Sequence, residues 1–273
     1  MQENHHPLVS ALASHLDAIH HGASRMNNGI DSEATHDLRV ELKRMRAILR
    51  LIHFLRPTWP YRRHYAPFRA LFRSAGMLRE WQLQVGMLDA VPEINPEFYD
   101  AYRTKLLKKL VGAHRHLADV LKEDLPAGKS ILHAAHTCFE AADKSDYQAY
   151  FQYKSEEIHA MLGCGPLAFP ERMHPFRKAL KDYNNNRRNT INALSLDPGP
   201  VKGLPDPSSE LERLLGDWND FQTALWHLSE VEETSWSEPW TMALTDLRGH
   251  WSACSETLLS ALFEQTRPER FDT

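Results

Sequence analysis

The sequence predicts an all-α protein, and three observations support that class. Nine stretches place apolar residues three and four positions apart, which is the spacing that buries one face of an α-helix. No stretch alternates apolar and polar residues convincingly enough to form a β-strand. A pattern of charged residues in the first half of the chain also returns in the second half. Long amphipathic helices joined by short loops favour antiparallel bundles.

Prolines divide the first half into four long helices and a short linking helix. Pro57 and Pro92 end the second and third helices, because proline lacks the amide hydrogen that a helix interior requires. The third helix is expected to be interrupted near Pro67. Ser32 or Thr35 can cap the start of the second helix. The predicted ranges are 8–26, 33–56, 62–91, 96–123 and 131–142.

Four further helices are predicted in the second half, in the same order. Their ranges are 147–162, 171–194, 210–232 and 238–265. A break is expected from 163 to 170 and a long loop from 195 to 209, where proline and glycine residues cannot continue a helix. We therefore divide the chain into two helical repeats, residues 8–145 and 146–267, which together form one domain.

A row of cations runs along one face of the second predicted helix. In HDLRVELKRMRAILR, positions 36–50, cations recur at alternating steps of three and four residues, and a turn of about 100° per residue aligns them. Apolar residues occupy the opposite face. Repulsion between neighbouring cations amounts to only about 1 kcal/mol in total, so a single row is also typical of a solvated face. The row consists of His36, Arg39, Lys43, Arg46 and Arg50.

The same row returns 138 residues later, which a solvated face does not require. It consists of His174, Arg177, Lys181 and Arg188, with Asn184 in place of a cation. A second block, around Gly76, aligns with the segment around Gly216 at an offset of 140 and places Glu80 on Asp220. Two blocks repeated in the same order indicate an internal duplication of one helical unit.

These motifs resemble those of the CHAD family, the conserved-histidine α-helical domain. HDLRVELKRMR is followed about thirty residues later by AGMLRE, which is similar to the family's LG-x-x-RD segment, and a weaker second copy follows. The resemblance extends from about Leu8 to Gln265. It implies two helical bundles related by a pseudo-twofold axis, with cations lining a central groove or pore that binds inorganic polyphosphate. It implies a binding module and not an enzyme.

The charge pattern and the resemblance together predict the residues that contact phosphate. Guanidinium groups bind phosphate oxygens through paired hydrogen bonds, and a lysine acts as a movable charge. The histidine that leads each row predicts tighter binding as the pH falls toward about 6. Glu80, Asp182 and Asn184 depart from the family pattern. The predicted set is His36, Arg39, Lys43, Arg46, Arg50, Arg73, Lys105, Lys109, His116, His174, Arg177, Lys181 and Arg188.

The distribution of charge favours a confined anion as the partner. The 273-residue chain has a net charge of -4, yet residues 36–79 contain eleven Lys or Arg against two acids, and residues 204–238 contain nine acids against one Arg. Proteins that bind long nucleic acids tend to be basic over the whole domain. A nucleic acid is therefore not expected as the partner.

Two other function classes stay open at this point. One is a metal-dependent phosphohydrolase acting on polyphosphate or nucleotides, although no P-loop, GxSxG or HExxH motif is present. The other is a helical interaction module for an acidic protein. His133, His136 and Glu140 share one helix face, but no further metal ligand is identifiable, so no cofactor or metal is predicted.

Cysteine usage and hydropathy indicate a cytoplasmic protein, and the polyphosphate binding that the family resemblance implies would associate it with polyphosphate granules. Cys138, Cys164 and Cys254 are odd in number and far apart, which argues against a disulfide framework. No signal peptide is recognisable, and no apolar segment approaches the length of about 20 residues that spans a membrane.

Overall fold

The computed structural model describes residues 6–26, 31–91, 93–123, 125, 128–162, 169–206, 209–231 and 238–266. Within them the chain forms nine α-helices and no β-strand, which confirms the predicted all-α class. The helices are α1 (Pro7–Met26), α2 (Ser32–Leu55), α3 (Tyr61–Asp89), α4 (Pro96–Leu121), α5 (Lys129–Ala141), α6 (Lys144–Leu162), α7 (Phe169–Leu194), α8 (Ser209–Ser229) and α9 (Glu238–Gln265). Every bound lies within three residues of the predicted one.

The two halves of the chain pack in the same order. In the first half α1 packs on α2, α2 on α3 and α3 on α4; in the second half α6 packs on α7, α7 on α8 and α8 on α9. The halves meet mainly through the equivalent pairs α2 with α7, α3 with α8, and α4 with α9, and α1 also packs on α7 and α2 on α6. The internal duplication of the chain stays a prediction.

Helix α2 lies at the centre of this arrangement. It packs against α1, α3, α5, α6 and α7, and its apolar face is almost completely buried, from Leu38 and Leu42 to Leu51 and Ile52. That face belongs to the larger of two hydrophobic clusters, which combines residues from both halves. A smaller cluster joins the end of α3 and the start of α4 to α8 and α9. Because five helices pack against α2, the backbone that carries the cations on its remaining face is held in place.

A buried amide fastens α2 to α7. Asn186 is fully buried, and its Nδ2 atom donates to the backbone carbonyl of Ala47 at 2.9 Å and to the hydroxyl of Tyr150 at 2.6 Å. The side chain therefore joins α2, α6 and α7 at one point.

Some local predictions were wrong. Helix α3 runs without interruption through Pro67, which lies exposed in its second turn, where water can satisfy the carbonyl that proline leaves without a donor. Helix α2 is capped by Asp31 and not by Ser32 or Thr35, since the Asp31 carboxylate accepts from the amides of Glu33 and Ala34.

Other predictions concern connecting segments. Most of the break predicted from 163 to 170, together with Cys164, lies outside the described residues, although 169 and 170 already belong to α7. The predicted loop after α7 is present: residues 195–206 are not helical, and Arg187 binds the loop through Asp197 and Asp206. None of the described helices is long and apolar enough to span a membrane.

Asn186→Ala should lower the free energy of unfolding by roughly 2 kcal/mol, because it removes two buried hydrogen bonds and leaves a cavity between α2 and α7. Urea unfolding followed by circular dichroism measures the change. Asn185→Ala, at the adjacent and only half-buried position, is the matched control and should change stability by less than about 0.5 kcal/mol. Equal losses in the two variants would contradict the role assigned to Asn186.

Candidate functional site

The two predicted rows of cations lie next to each other on α2 and α7. Residues that approach one another across the two helices have numbers that increase together, so the helices run in the same direction. The pairs are Arg39 with Arg177, Lys43 with Lys181, and Ala47 with Asn186. The long side chain of Arg50 contacts Asp182, one turn before Asn186 on α7. The cations of α2 therefore face their counterparts on α7 over about two turns of helix.

Five cations at the centre of the two rows have no carboxylate partner. They are half-buried, and none forms an ion pair with any carboxylate in the described part of the chain. The Nε atoms of Arg46 and Arg177 are buried and form no hydrogen bond there. We call this set the five central cations: Arg39, Lys43, Arg46, Arg177 and Lys181.

Lys43 experiences the strongest effect of this crowding. Burial lowers its pKa, and Arg39, Lys181, Arg177 and Arg46 lower it further, to about 7. Lys43 therefore loses its proton far more readily than an ordinary lysine. A lysine in this state gains strongly from any anion that enters the site, because the anion favours the charged form.

Arg39 is held against α3 by an aromatic ring and a glycine. Burial lowers its pKa to about 10, and Arg177 adds to that effect. Its guanidinium lies 4.9 Å from the ring centroid of Phe72, and its Nη1 donates to the Phe72 carbonyl at 3.3 Å. A Cβ atom at position 76 would lie 2.5 Å from the same Nη1, so any other residue there would require the Arg39 guanidinium to shift. Gly216, its aligned counterpart, meets no such neighbour.

Phe72 was not predicted as part of the site. Its ring also lies 5.0 Å from the guanidinium carbon of Arg46, so one aromatic side chain supports two of the cations. The sequence contained a signal, because Phe72, Gly76 and Arg79 are four and three residues apart and so share one face of α3.

Two aligned acids lie at the end of the rows nearest the start of α2 and α7. Glu80 and Asp220 line a cavity of about 90 Å³ together with Arg39 and Arg79. Burial raises the pKa of Asp220, while Arg177 partly opposes that shift. Glu80 contacts the ring of His227. Glu80 thus joins α3 to α8 and has a bracing role at this end of the rows.

Arg79 and Asn219 fit the same bracing role. Arg79 donates to the Ser32 hydroxyl at 2.7 Å, which fixes the start of α2. Asn219 lies 3.2 Å from the Nδ1 atom of His174 through its Oδ1 atom. Arg79 also lowers the pKa values of Arg39 and His36, so its positive charge acts on residues inside the site.

The two leading histidines lie at the edge of the site. Burial and neighbouring cations lower the pKa of both, with Arg79 and Lys43 acting on His36, and Lys178 and Arg177 acting on His174. Both imidazoles are therefore mostly neutral at pH 7 without a ligand. They can become charged when an anion offsets the cations around them.

The opposite end of the rows is closed by carboxylates. Arg50 is paired with the buried Asp182 of α7. Arg188 is paired with Glu212 of α8 at 3.1 Å, and the same Oε1 atom accepts from Asn184 at 2.7 Å. Phosphate contacts by Arg50 and Arg188 stay a prediction, and both residues already have an acidic partner.

Four predicted residues are not among the charged groups with the largest effect on the pKa values of the paired cations. Arg73, Lys105, Lys109 and His116 are exposed on α3 and α4, and Lys109 lies 6.0 Å from the ring centroid of Trp81. The charged groups with the strongest effect on the α2 and α7 cations all lie on α2, α3, α7 and α8. The structure thus brings together the rows and not the α4 stripe.

Metal-ligating residues do not cluster in the described part of the chain. Groups of three or more His, Cys, Asp or Glu that could hold an ion are absent there. His136 Nδ1 lies 3.8 Å from Glu140 Oε1, which is an exposed contact on one helix.

Comparison with known proteins places this arrangement in a family. Residues 10–229 match the family model described as the CHAD domain. The chain belongs to the CHAD family. The crystal structure of the CHAD domain from the plant Ricinus communis is similar to this CHAD domain with a TM-score of 0.65 and 16% sequence identity, over 96% of this chain and 91% of that one. This likeness shows the fold. None of the curated proteins matches the chain.

Lys43→Met should raise the free energy of unfolding by roughly 1–2 kcal/mol at pH 7, because it removes a desolvated charge held among other cations. The folded-state pKa of about 7 lies below the ordinary value of 10.5. The unfolded chain therefore binds more protons between these pH values, and the wild-type protein gains stability as the pH rises through them.

The advantage of Lys43→Met should consequently shrink between pH 7 and pH 9, as urea unfolding at the two pH values measures. Lys108→Met, on the exposed face of α4, is the control and should stay within about 0.5 kcal/mol of wild type at both. A destabilised Lys43→Met variant would show that Lys43 is compensated in the free protein.

Proposed function

We propose that this CHAD domain binds inorganic polyphosphate between α2 and α7 without cleaving it. The observation that supports this most is the group of five central cations, which are half-buried, adjacent and without acidic partners in the described residues. A polyanion supplies the missing negative charge.

The shape of the cationic group favours a linear anion over a single small one. Arg39 and Arg46 are separated by about 10 Å along α2, at a rise of about 1.5 Å per residue, and Arg177 and Lys181 lie beside them. A single monovalent anion can neutralise only the cations next to it in such a row. A chain of phosphates offers oxygens at each step, and guanidinium groups bind them in pairs.

The surroundings of the rows favour a thin chain over a nucleic-acid duplex. The central cations are half-buried between helices, and the protein as a whole is acidic, with a net charge of -4. A duplex needs a broad basic surface. Polyphosphate is a chain of phosphate groups without sugars or bases, so the whole chain can contact the cations. Binding of polyphosphate would direct the protein to polyphosphate granules.

Binding without turnover fits the state of the acids near the rows. Asp182 is engaged by Arg50, Glu212 by Arg188 and Asn184, and Glu80 by His227. Each of these carboxylates has a structural partner that it would have to leave before it could act as a base. A hydrolase acting at this site would need one of them to be released, or would have to use Asp220, whose pKa is raised by burial.

Titration with polyphosphates of several chain lengths tests the proposal. Alanine at Arg39, Lys43, Arg177 and Lys181 together should weaken binding by about 100-fold or more at 0.1 M salt, because four phosphate contacts are lost. The control replaces four exposed lysines elsewhere by alanine, with the same change in net charge: Lys108, Lys122, Lys129 and Lys144.

Near wild-type affinity is expected for the control. Equal losses in the two quadruple variants would mean that net charge and not this site binds the ligand. Release of phosphate from long polyphosphate in the presence of Mg²⁺, lost in the site variant, would favour a hydrolase instead.

Polyphosphate affinity should fall as the pH rises from 7 to 9. A bound anion raises the pKa of Lys43 above its value of about 7 in the free protein, so binding takes up a proton in that range and becomes weaker as protons become scarce. Isothermal titration calorimetry at several pH values measures the change, and Lys43→Met should show a smaller dependence. Equal pH dependence in both proteins would remove Lys43 as the cause.

A further inference from the structure

We infer that Asp182 ends the anion site by holding Arg50, so that a bound polyphosphate contacts the α2 row only as far as Arg46. Asp182 is then a residue that determines specificity although it touches no phosphate itself. The inference rests on the proposed function, since it concerns how far along the rows the same ligand extends.

The environment of the Arg50–Asp182 pair makes it difficult to separate. The Asp182 side chain is 5% exposed and the Arg50 side chain 36% exposed. In the described part of the chain, Asp182 has Arg50 as its hydrogen-bond partner and no other. If Arg50 moved to a phosphate, the carboxylate would stay buried without a counter-charge, which is strongly unfavourable.

The pair between Arg188 and Glu212 has a different character. The Arg188 side chain is 53% exposed, and Glu212 keeps a hydrogen bond from Asn184 when Arg188 leaves. Arg188 can therefore turn toward a ligand at little cost. The two rows thus end differently: the α7 row keeps its last cation available, and the α2 row does not.

The sequence contains the same asymmetry. The residue 138 positions before Asp182 is Arg44, which pairs with Glu41 on its own helix. An acid that faces the opposite row is therefore present on α7 and absent from the aligned position of α2. The counterpart of the Arg50–Asp182 pair would join Arg188 to Arg44, which cannot attract each other.

Affinity and its salt dependence for long-chain polyphosphate test the inference in D182N, in D182N/R50Q and in the wild type. D182N releases Arg50, so we expect roughly fivefold tighter binding at 0.1 M salt and a slope of log K against log salt that is steeper by about 0.7–0.9, as for one further phosphate contact. D182N/R50Q has the same net charge as the wild type and should return to its affinity and slope.

Asp119→Asn is the matched control. It frees Lys122 from an exposed ion pair on α4 and changes the net charge by the same amount, so it should alter affinity by less than twofold. An increase equal to that of D182N would assign the effect to net charge and overturn the inference. So would unchanged affinity and slope in D182N.

Weaker binding and a shallower slope in D182N/R50Q than in the wild type would show that Arg50 already contacts phosphate. A measurement on the wild-type protein does not depend on how the variants fold: in NMR spectra, the Nε–H signals of Arg39 and Arg46 should shift on addition of polyphosphate, and that of Arg50 should not. If the wild-type protein binds no polyphosphate, the proposed function fails before this inference is reached.

Discussion

The structure depends on keeping five like charges close together and partly away from water. Burial and repulsion from the neighbouring cations both oppose the charged state of Lys43, and both therefore lower its pKa. Only a rigid frame can hold side chains in such positions. The frame is α2, buried on its apolar face by five other helices, and the buried amide of Asn186, which fastens α2 to α7. The hydrophobic clusters thus stabilise an arrangement that the cations themselves oppose.

Carboxylates are present around the cations, but their positions leave the centre uncompensated. Glu80 and Asp220 lie at one end of the rows, and Asp182 and Glu212 lie at the other. Each influences the nearest cations without pairing with the five central ones. The field is therefore most positive in the middle of the rows, where the cations face one another and where an external anion gains most from binding.

The helices were predictable because their signal is local. Apolar spacing repeats at the helical period, and proline and glycine mark most ends, so the bounds agree within three residues. The interruption at Pro67 was wrong because tolerance of proline depends on exposure, which no local pattern records. The cap of α2 was also predicted wrongly, because the direction of a side chain decides which residue caps the helix. The Asp31 side chain, and not that of Ser32, accepts from the first amides of α2.

The site was predictable only in part for a related reason. The register of Arg39 and Arg177 indicated equivalent positions, but their proximity depends on how α2 packs on α7, and spacing alone cannot give that. The stripe on α4 has the same helical spacing, yet Lys105 and Lys109 are exposed and are not among the charges with the largest effect on the paired cations. The close approach of Arg39 to Gly76 was also not predictable from the sequence, because it depends on where the Arg39 guanidinium contacts α3.

The helices that carry the two rows also differ in their polar residues, and this difference gives α2 and α7 different structural roles. Asp182, Asn184 and Asn186 on α7 are buried, and each bonds to a neighbouring helix. The residues 138 positions earlier are Arg44, Arg46 and Ile48, which are two cations and a core residue. At these positions α7 carries polar groups that hold the helices together, where α2 carries cations and a core residue. Its buried polar residues then fix the frame, and α2 supplies the larger share of unpaired charge.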